Sequence, residues 1–368
     1  MDLNLLFFCS FVGIGLASLP FWWNAYLRKQ AGDPILESRE TISSPFGFTD
    51  IVLMFFFWLF GQFSALGIAT LALGLDPTKL SELDGTELAW LTIIASVGQL
   101  IVTAIAMSTL YARYRSWAIF GFTWSTLRQD LKLGGIAFLM VVPATLVVQL
   151  LLTQFLKYNH NTLEMLANNV NALTVSAAWF GAVLVAPICE EIFFRGVLQG
   201  WLHRVFTSNR LFSDQNLIGG WDRSTGSADE QAEAVDSTET EHKNFEQRNS
   251  DNPYASPTNM GLNYSATVPS EGYWAIFVSA AIFGLAHLGQ GPAPIPLFLF
   301  GLALGYIYHK TGSVFPCIVL HMLLNGFSMF WFTINTFFSP AVETTPVEPI
   351  PATVTGFIEP ITTLLFTL

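Results

Sequence analysis

The chain has 368 residues, of which 52% are hydrophobic and only 12% charged, against roughly a quarter charged in an ordinary soluble domain. That composition excludes a disordered chain and argues against a soluble two-domain enzyme, which could not hide so much apolar surface from water. The net charge of -11 argues against nucleic acid as a partner, which would require clustered Lys and Arg.

A membrane-crossing helix needs about 20 mostly apolar residues. In chain order the segments of this kind are 3–26, 51–73, 89–110, 134–156, 172–189 with an extension, 273–288, 294–308 and 313–335. The expected fold class is therefore all-α: a polytopic transmembrane helix bundle of about eight crossings, with the lipid bilayer as its solvent. The first segment reads as a crossing rather than a cleaved signal peptide, because Asp2 precedes it without Lys or Arg and the apolar run is too long. The cysteines Cys9, Cys189 and Cys317 all lie in apolar surroundings and form neither a disulfide framework nor a CxxC metal pair.

Ionisable residues divide the chain. Residues 1–170 form an N-terminal set of helices that shapes or gates; 171–336 form the half with chemistry; 337–368 are a Pro/Thr-rich tail whose apolar end, 361–368, is too short to cross. A polar, acidic stretch, 207–271, interrupts the second half and reads as a disordered or loosely ordered insertion. With the N-terminus outside, all of the 16 basic residues except Lys79 and Lys157 fall on the inner side, which places the insertion in the cytoplasm.

A charged group at the bilayer centre costs roughly 2.5–3.5 kcal/mol on insertion scales, so an intramembrane ionisable residue is a functional candidate. Here the candidates are Glu190, Glu191, Arg195, His287 and His321, with Asn325 beside them, all in the second half. Glu191 and Arg195 are four apart and pair on one helical face; Glu190 sits about 100° round and cannot share the pairing equally. One carboxylate is neutralised, and the other stays in apolar surroundings beside a like charge, the condition for a general base near neutral pH. The bland alternative is a helix end at the interface with Arg195 reaching into water. Phe283 and His287, and His321 and Asn325, also share faces four residues apart. An Asn one turn from a His can orient the imidazole or join it in donating to a developing oxyanion.

Glu190 and His287 reach the same depth, about 22 Å from the inner end, only if the helix bearing Glu190 continues to about residue 205. Residues 172–186 are then an additional or bent segment, with Pro187 as a plausible elbow. His321 lies nearer 12 Å on the same count, a gap for tilt or side-chain reach to close.

These residues resemble the CPBP family of intramembrane endopeptidases, which includes CAAX prenyl proteases and bacteriocin-processing or immunity proteins of the Abi type. The family pattern EExxxR, FxxxH, HxxxN stands here as Glu190-Glu191 to Arg195, Phe283 to His287, and His321 to Asn325. The resemblance covers about 175–335 and implies that Glu190 with His287 activates the attacking water. It further implies that His321 with Asn325 stabilises the oxyanion, while Glu191 supports the site and Arg195 fixes it. A metal-free site is the expectation; the alternative is zinc held by Glu190, His287 and His321, although HExxH is absent. The expected partner is a membrane-associated peptide or protein substrate, and nothing indicates an oligomeric state. Two other functions compete: a catalytically inactive scaffold or immunity-type protein that binds a partner peptide, and an ion-coupled transporter, for which homologous halves with broken helices are missing.

Overall fold

The computed structural model describes residues 3–39, 44–76, 83–155, 166–208, 213–220, 272–288 and 290–338, and among these it contains helices and no strand. The long helices are α1 (Leu3–Gln30), α2 (Phe48–Leu73), α3 (Gly85–Tyr114), α4 (Leu127–Thr153) and α5 (Ala172–Thr207). After α5 come a short α6 (Asp214–Ile218), then α7 (Tyr273–Leu285), α8 (Pro294–Thr311) and α9 (Phe315–Phe338). The protein is an integral membrane helix bundle.

All eight apolar segments are helical, but among the described residues six helices, not eight, are long and apolar enough to cross a bilayer: α1 to α5 and α9. The difference lies in α7 and α8. The 13 residues of α7 rise only about 20 Å at 1.5 Å per residue, short of a hydrocarbon core of about 30 Å. The chain turns at 286–288 and returns from 290 as α8, so this pair forms a hairpin that enters and leaves at the same end of the bundle. Its two helices approach closely. A Cβ on Gly301 would lie 3.2 Å from Ala280 Cα, and one on Gly305 would lie 2.7 Å from Ile276 Cγ2. Small residues four apart allow this contact, the usual way apolar helices associate where water offers no driving force.

Residues 172–186 are not a separate segment. They run continuously into α5, whose helical backbone extends past Glu190 to Thr207, the length that the depth argument requires. Within it, two π-helical stretches, Trp179–Val185 and Ile192–Gln199, bracket an α-helical turn, Ala186–Glu191. Pro187 sits at the start of that turn, directly after a wide π stretch, where its missing N–H and bulky ring are accommodated without ending the helix.

One end of the bundle is basic and tied together by buried carboxylates. Asp130, fully buried, accepts from Arg39 Nη1, Thr123 Oγ1, Thr126 Oγ1 and Ser313 Oγ, which links the α1–α2 connection, α4 and the start of α9. Asp50, also buried, accepts from Arg113 Nη1, Tyr114 Oη and the Gly47 N–H. Exposed Trp23, Tyr26, Trp117, Trp124, Tyr273 and Trp274 lie at the helix ends belonging to this side, as aromatic residues do at a membrane interface. The first part of the expected insertion is ordered here. Trp201 Nε1 donates to the Asn216 carbonyl, Arg113 Nη2 to the Ile218 carbonyl and the Gly220 N–H to the Pro45 carbonyl. Residues 221–271 and the tail from 339 lie outside the described residues.

Candidate active site

The π–α–π pattern of α5 orients its polar side chains. Widened turns of this kind are frequent at functional sites, because they break the simple register of a helix and free backbone carbonyls. Two such carbonyls are used: Ala182 accepts from Asn325 Nδ2 at 2.8 Å, and Phe194 accepts from Ser279 Oγ at 3.1 Å. The α-helical turn between the two stretches ends on Glu190 and Glu191.

Glu191 is fully buried and doubly held. Its Oε2 lies 3.1 Å from Arg195 Nε, the expected i,i+4 pair, and its Oε1 lies 2.9 Å from His321 Nδ1. Arg195 is itself fully buried, so it does not reach into water as the bland reading required. A carboxylate paired with a guanidinium can only accept, so His321 Nδ1 must carry the hydrogen of that contact. The other ring nitrogen, Nε2, faces Glu190 at 4.0 Å. Glu190 is 15% exposed, yet its Oε2 is buried and has no hydrogen-bond partner among the described residues. Glu190, Glu191, Arg195 and His321 therefore form one cluster between α5 and α9.

His287 is brought to the same place by a different element. Helix α7 ends at Leu285, so His287 does not share a helical face with Phe283; it sits in the turn that caps the helix, its N–H bonded to the Gly284 carbonyl. Its Nδ1 lies 2.8 Å from the Phe283 carbonyl, which only accepts, so this nitrogen donates and Nε2 is left as the acceptor of the neutral ring. The buried Phe283 ring is the common wall: its centroid is 5.0 Å from that of His287, 5.7 Å from that of His321, and 5.4 Å from Arg195 Cζ. Asn325 is oriented by the Ala182 carbonyl and retains a second amide hydrogen.

Two buried residues absent from the sequence-based set complete the arrangement. Gln199 and Ser279 both contact Arg195 Nη1, at 3.4 and 3.2 Å. Their spacing was a usable signal: Glu191, Arg195 and Gln199 stand four apart on α5, and Ser279 and Phe283 on α7 continue four residues on to His287, just past its end. Among the described residues no group of three or more His, Cys, Asp and Glu is arranged to hold a metal ion.

A membrane-crossing bundle that gathers carboxylates, a guanidinium and imidazoles in its buried interior marks a functional site. Residues 172–218 and 260–327 match the family model described as type II CAAX prenyl endopeptidase Rce1-like, and all three motifs lie inside those residues. No curated protein and no solved structure matches the chain.

Proposed function

We propose that the protein is an intramembrane endopeptidase that hydrolyses peptide bonds of a membrane-associated or lipidated protein or peptide without a metal. The observation that carries this reading is the gap between Glu190 and His321. A buried carboxylate oxygen without a hydrogen bond is rare in a folded protein, and 4.0 Å to His321 Nε2 is a distance that a bridging water or substrate oxygen fills.

Charge balance assigns the roles. Glu190, Glu191 and Arg195 sum to one negative charge, and burial favours neutrality, so one proton belongs to the Glu190–His321 pair. Carried by His321, it makes Nε2 a donor aimed at the gap and leaves Glu190 as the base. A water bound between Glu190 and the His287 Nε2 acceptor gives a proton to Glu190 as its oxygen bonds to the scissile carbonyl carbon. The carbonyl oxygen takes up the electron pair, stabilised by His321 Nε2–H and the second amide hydrogen of Asn325. When the intermediate collapses, the C–N bond breaks and Glu190 returns its proton to the leaving amine. Glu191 and Arg195 hold the imidazole. By the distribution of Lys and Arg, the basic end faces the cytoplasm, with the N-terminus outside.

The test uses purified protein in detergent micelles with an internally quenched peptide ending in a CAAX sequence, farnesylated or not. Glu190→Gln keeps size and shape, so cleavage is expected to fall by about 10²–10⁴-fold with unchanged thermal unfolding. A variant that cleaves as fast as the parent leaves the inactive-scaffold reading in its place. Elemental analysis of the same preparation decides the metal: stoichiometric zinc would replace the metal-free scheme.

A further inference from the structure

Arg195 meets Glu191 through Nε alone, although a guanidinium free to choose would present two parallel N–H groups to a carboxylate. Something holds it in the one-point arrangement. On its far side, Nη1 donates to Ser279 Oγ at 3.2 Å and to Gln199 Oε1 at 3.4 Å. Each of these is anchored to backbone in turn: Ser279 Oγ donates to the Phe194 carbonyl at 3.1 Å, and Gln199 Nε2 donates to the Gly305 carbonyl at 2.8 Å. Both residues are buried, Ser279 at 0% and Gln199 at 2% exposure. The anchor on α8 leaves no spare room, since a Cβ on Gly305 would meet Gln199 Oε1 at 3.0 Å. Arg195 Nη2 is buried without a hydrogen-bond partner among the described residues, so the guanidinium gives up one bond to stay where Ser279 and Gln199 place it.

We infer that Ser279 and Gln199 are positioning residues of this site. They fix Arg195 by Nη1 so that Glu191 keeps one oxygen free for His321 Nδ1, which sets the tautomer of His321 and aims Nε2 at Glu190. Without them the guanidinium can swing to engage both Glu191 oxygens and compete with the imidazole for Oε1. The inference rests on the peptidase reading for its catalytic meaning, but the placement of His321 can be read without catalysis.

The experiment therefore has two arms. In protein labelled with ¹⁵N-histidine, the His321 signals, identified by their absence in His321→Gln, report a hydrogen-bonded Nδ1–H and an Nε2 whose proton exchanges with Glu190 in the parent. Ser279→Ala and Gln199→Leu are each expected to abolish the hydrogen-bonded Nδ1–H signature, and Ser279→Thr to restore it. With the quenched CAAX peptide, both variants should lower kcat by about 10–100-fold, the scale typical of outer-shell partners, with KM within twofold and the pH optimum displaced. Gly305→Ala, which removes no polar atom, should reproduce the Gln199→Leu pattern by displacing the amide. Unchanged His321 signals in folded Ser279→Ala and Gln199→Leu overturn the inference, whatever happens to activity. If the parent does not cleave but the signals change as described, the positioning role stands and the peptidase reading falls.

Discussion

His321 Nδ1 lies 2.9 Å from Glu191 Oε1, and the second oxygen of that carboxylate lies 3.1 Å from Arg195 Nε. One buried acid thus joins an imidazole on α9 to a guanidinium on its own helix. The two carboxylates that stand side by side in the chain acquire opposite duties from this contact: Glu191 is committed on both oxygens, while Glu190 keeps an oxygen open.

Removing the guanidinium should unfold the site before it slows it. Arg195→Leu leaves Glu191 buried with an uncompensated charge, and breaking a fully buried pair in this way costs about 3–5 kcal/mol. Denaturant titration in micelles should show a destabilisation of this size, whereas Glu190→Gln, whose buried Oε2 has no hydrogen bond to lose, should remain close to the parent.

Phe283 is the packing counterpart of that cluster. It is fully buried against His287, His321, Arg195 and Phe194. Phe283→Ala should cost about 3–5 kcal/mol through the cavity it leaves and release both imidazoles. A variant that is destabilised yet cleaves at the parental rate would show that the ring does not position them.

Asn325 separates structure from chemistry. Asn325→Leu leaves the Ala182 carbonyl without its donor, expected to cost about 1–3 kcal/mol, and removes the amide assigned to the oxyanion, expected to lower kcat by about 10²–10³-fold. A loss confined to KM would place the amide in substrate binding instead.

At the basic end, Asp130 holds four donors but lies remote in sequence from all three motifs. Asp130→Ala should lower stability by about 1.5–3 kcal/mol, as loss of charge-assisted hydrogen bonds does, while kcat at saturating peptide stays within about twofold. Measuring both on one preparation checks the division of labour between the tether and the site.

Orientation can be read by labelling. In a background without Cys9, Asp33→Cys at the basic end should react with an impermeant maleimide only from the cytoplasmic side, and Thr86→Cys at the opposite end only from outside; the reverse pattern would invert the topology.

Much of this was legible in the chain. The apolar runs are strong signals because a bilayer demands long helices, and Glu190, Glu191, Arg195, His287 and His321 stand out because ionisable groups are so rarely tolerated there. What stayed hidden depended on backbone geometry that hydropathy does not encode. The run 273–288 is apolar enough for a crossing, but its helix ends at Leu285 and His287 caps it. The continuous course of α5 through Pro187 depends on π turns, for which apolar composition provides no signal. Gln199 and Ser279, being uncharged, did not register as costly residues, although they repeat the four-residue spacing of the motif residues they support.

The α7–α8 hairpin has a consequence for how this protein must be mapped. Because the pair returns to the face it entered from, an eight-pass and a six-pass chain place every connecting loop except the α7–α8 turn, and both flanking helix ends, on identical sides. Reporter fusions and glycosylation tags in those other loops would score the two alike. Only a probe of immersion, such as a spin label near residues 286–293 read against lipid-borne and aqueous quenchers, tells a histidine parked halfway from one that has emerged beyond the headgroups.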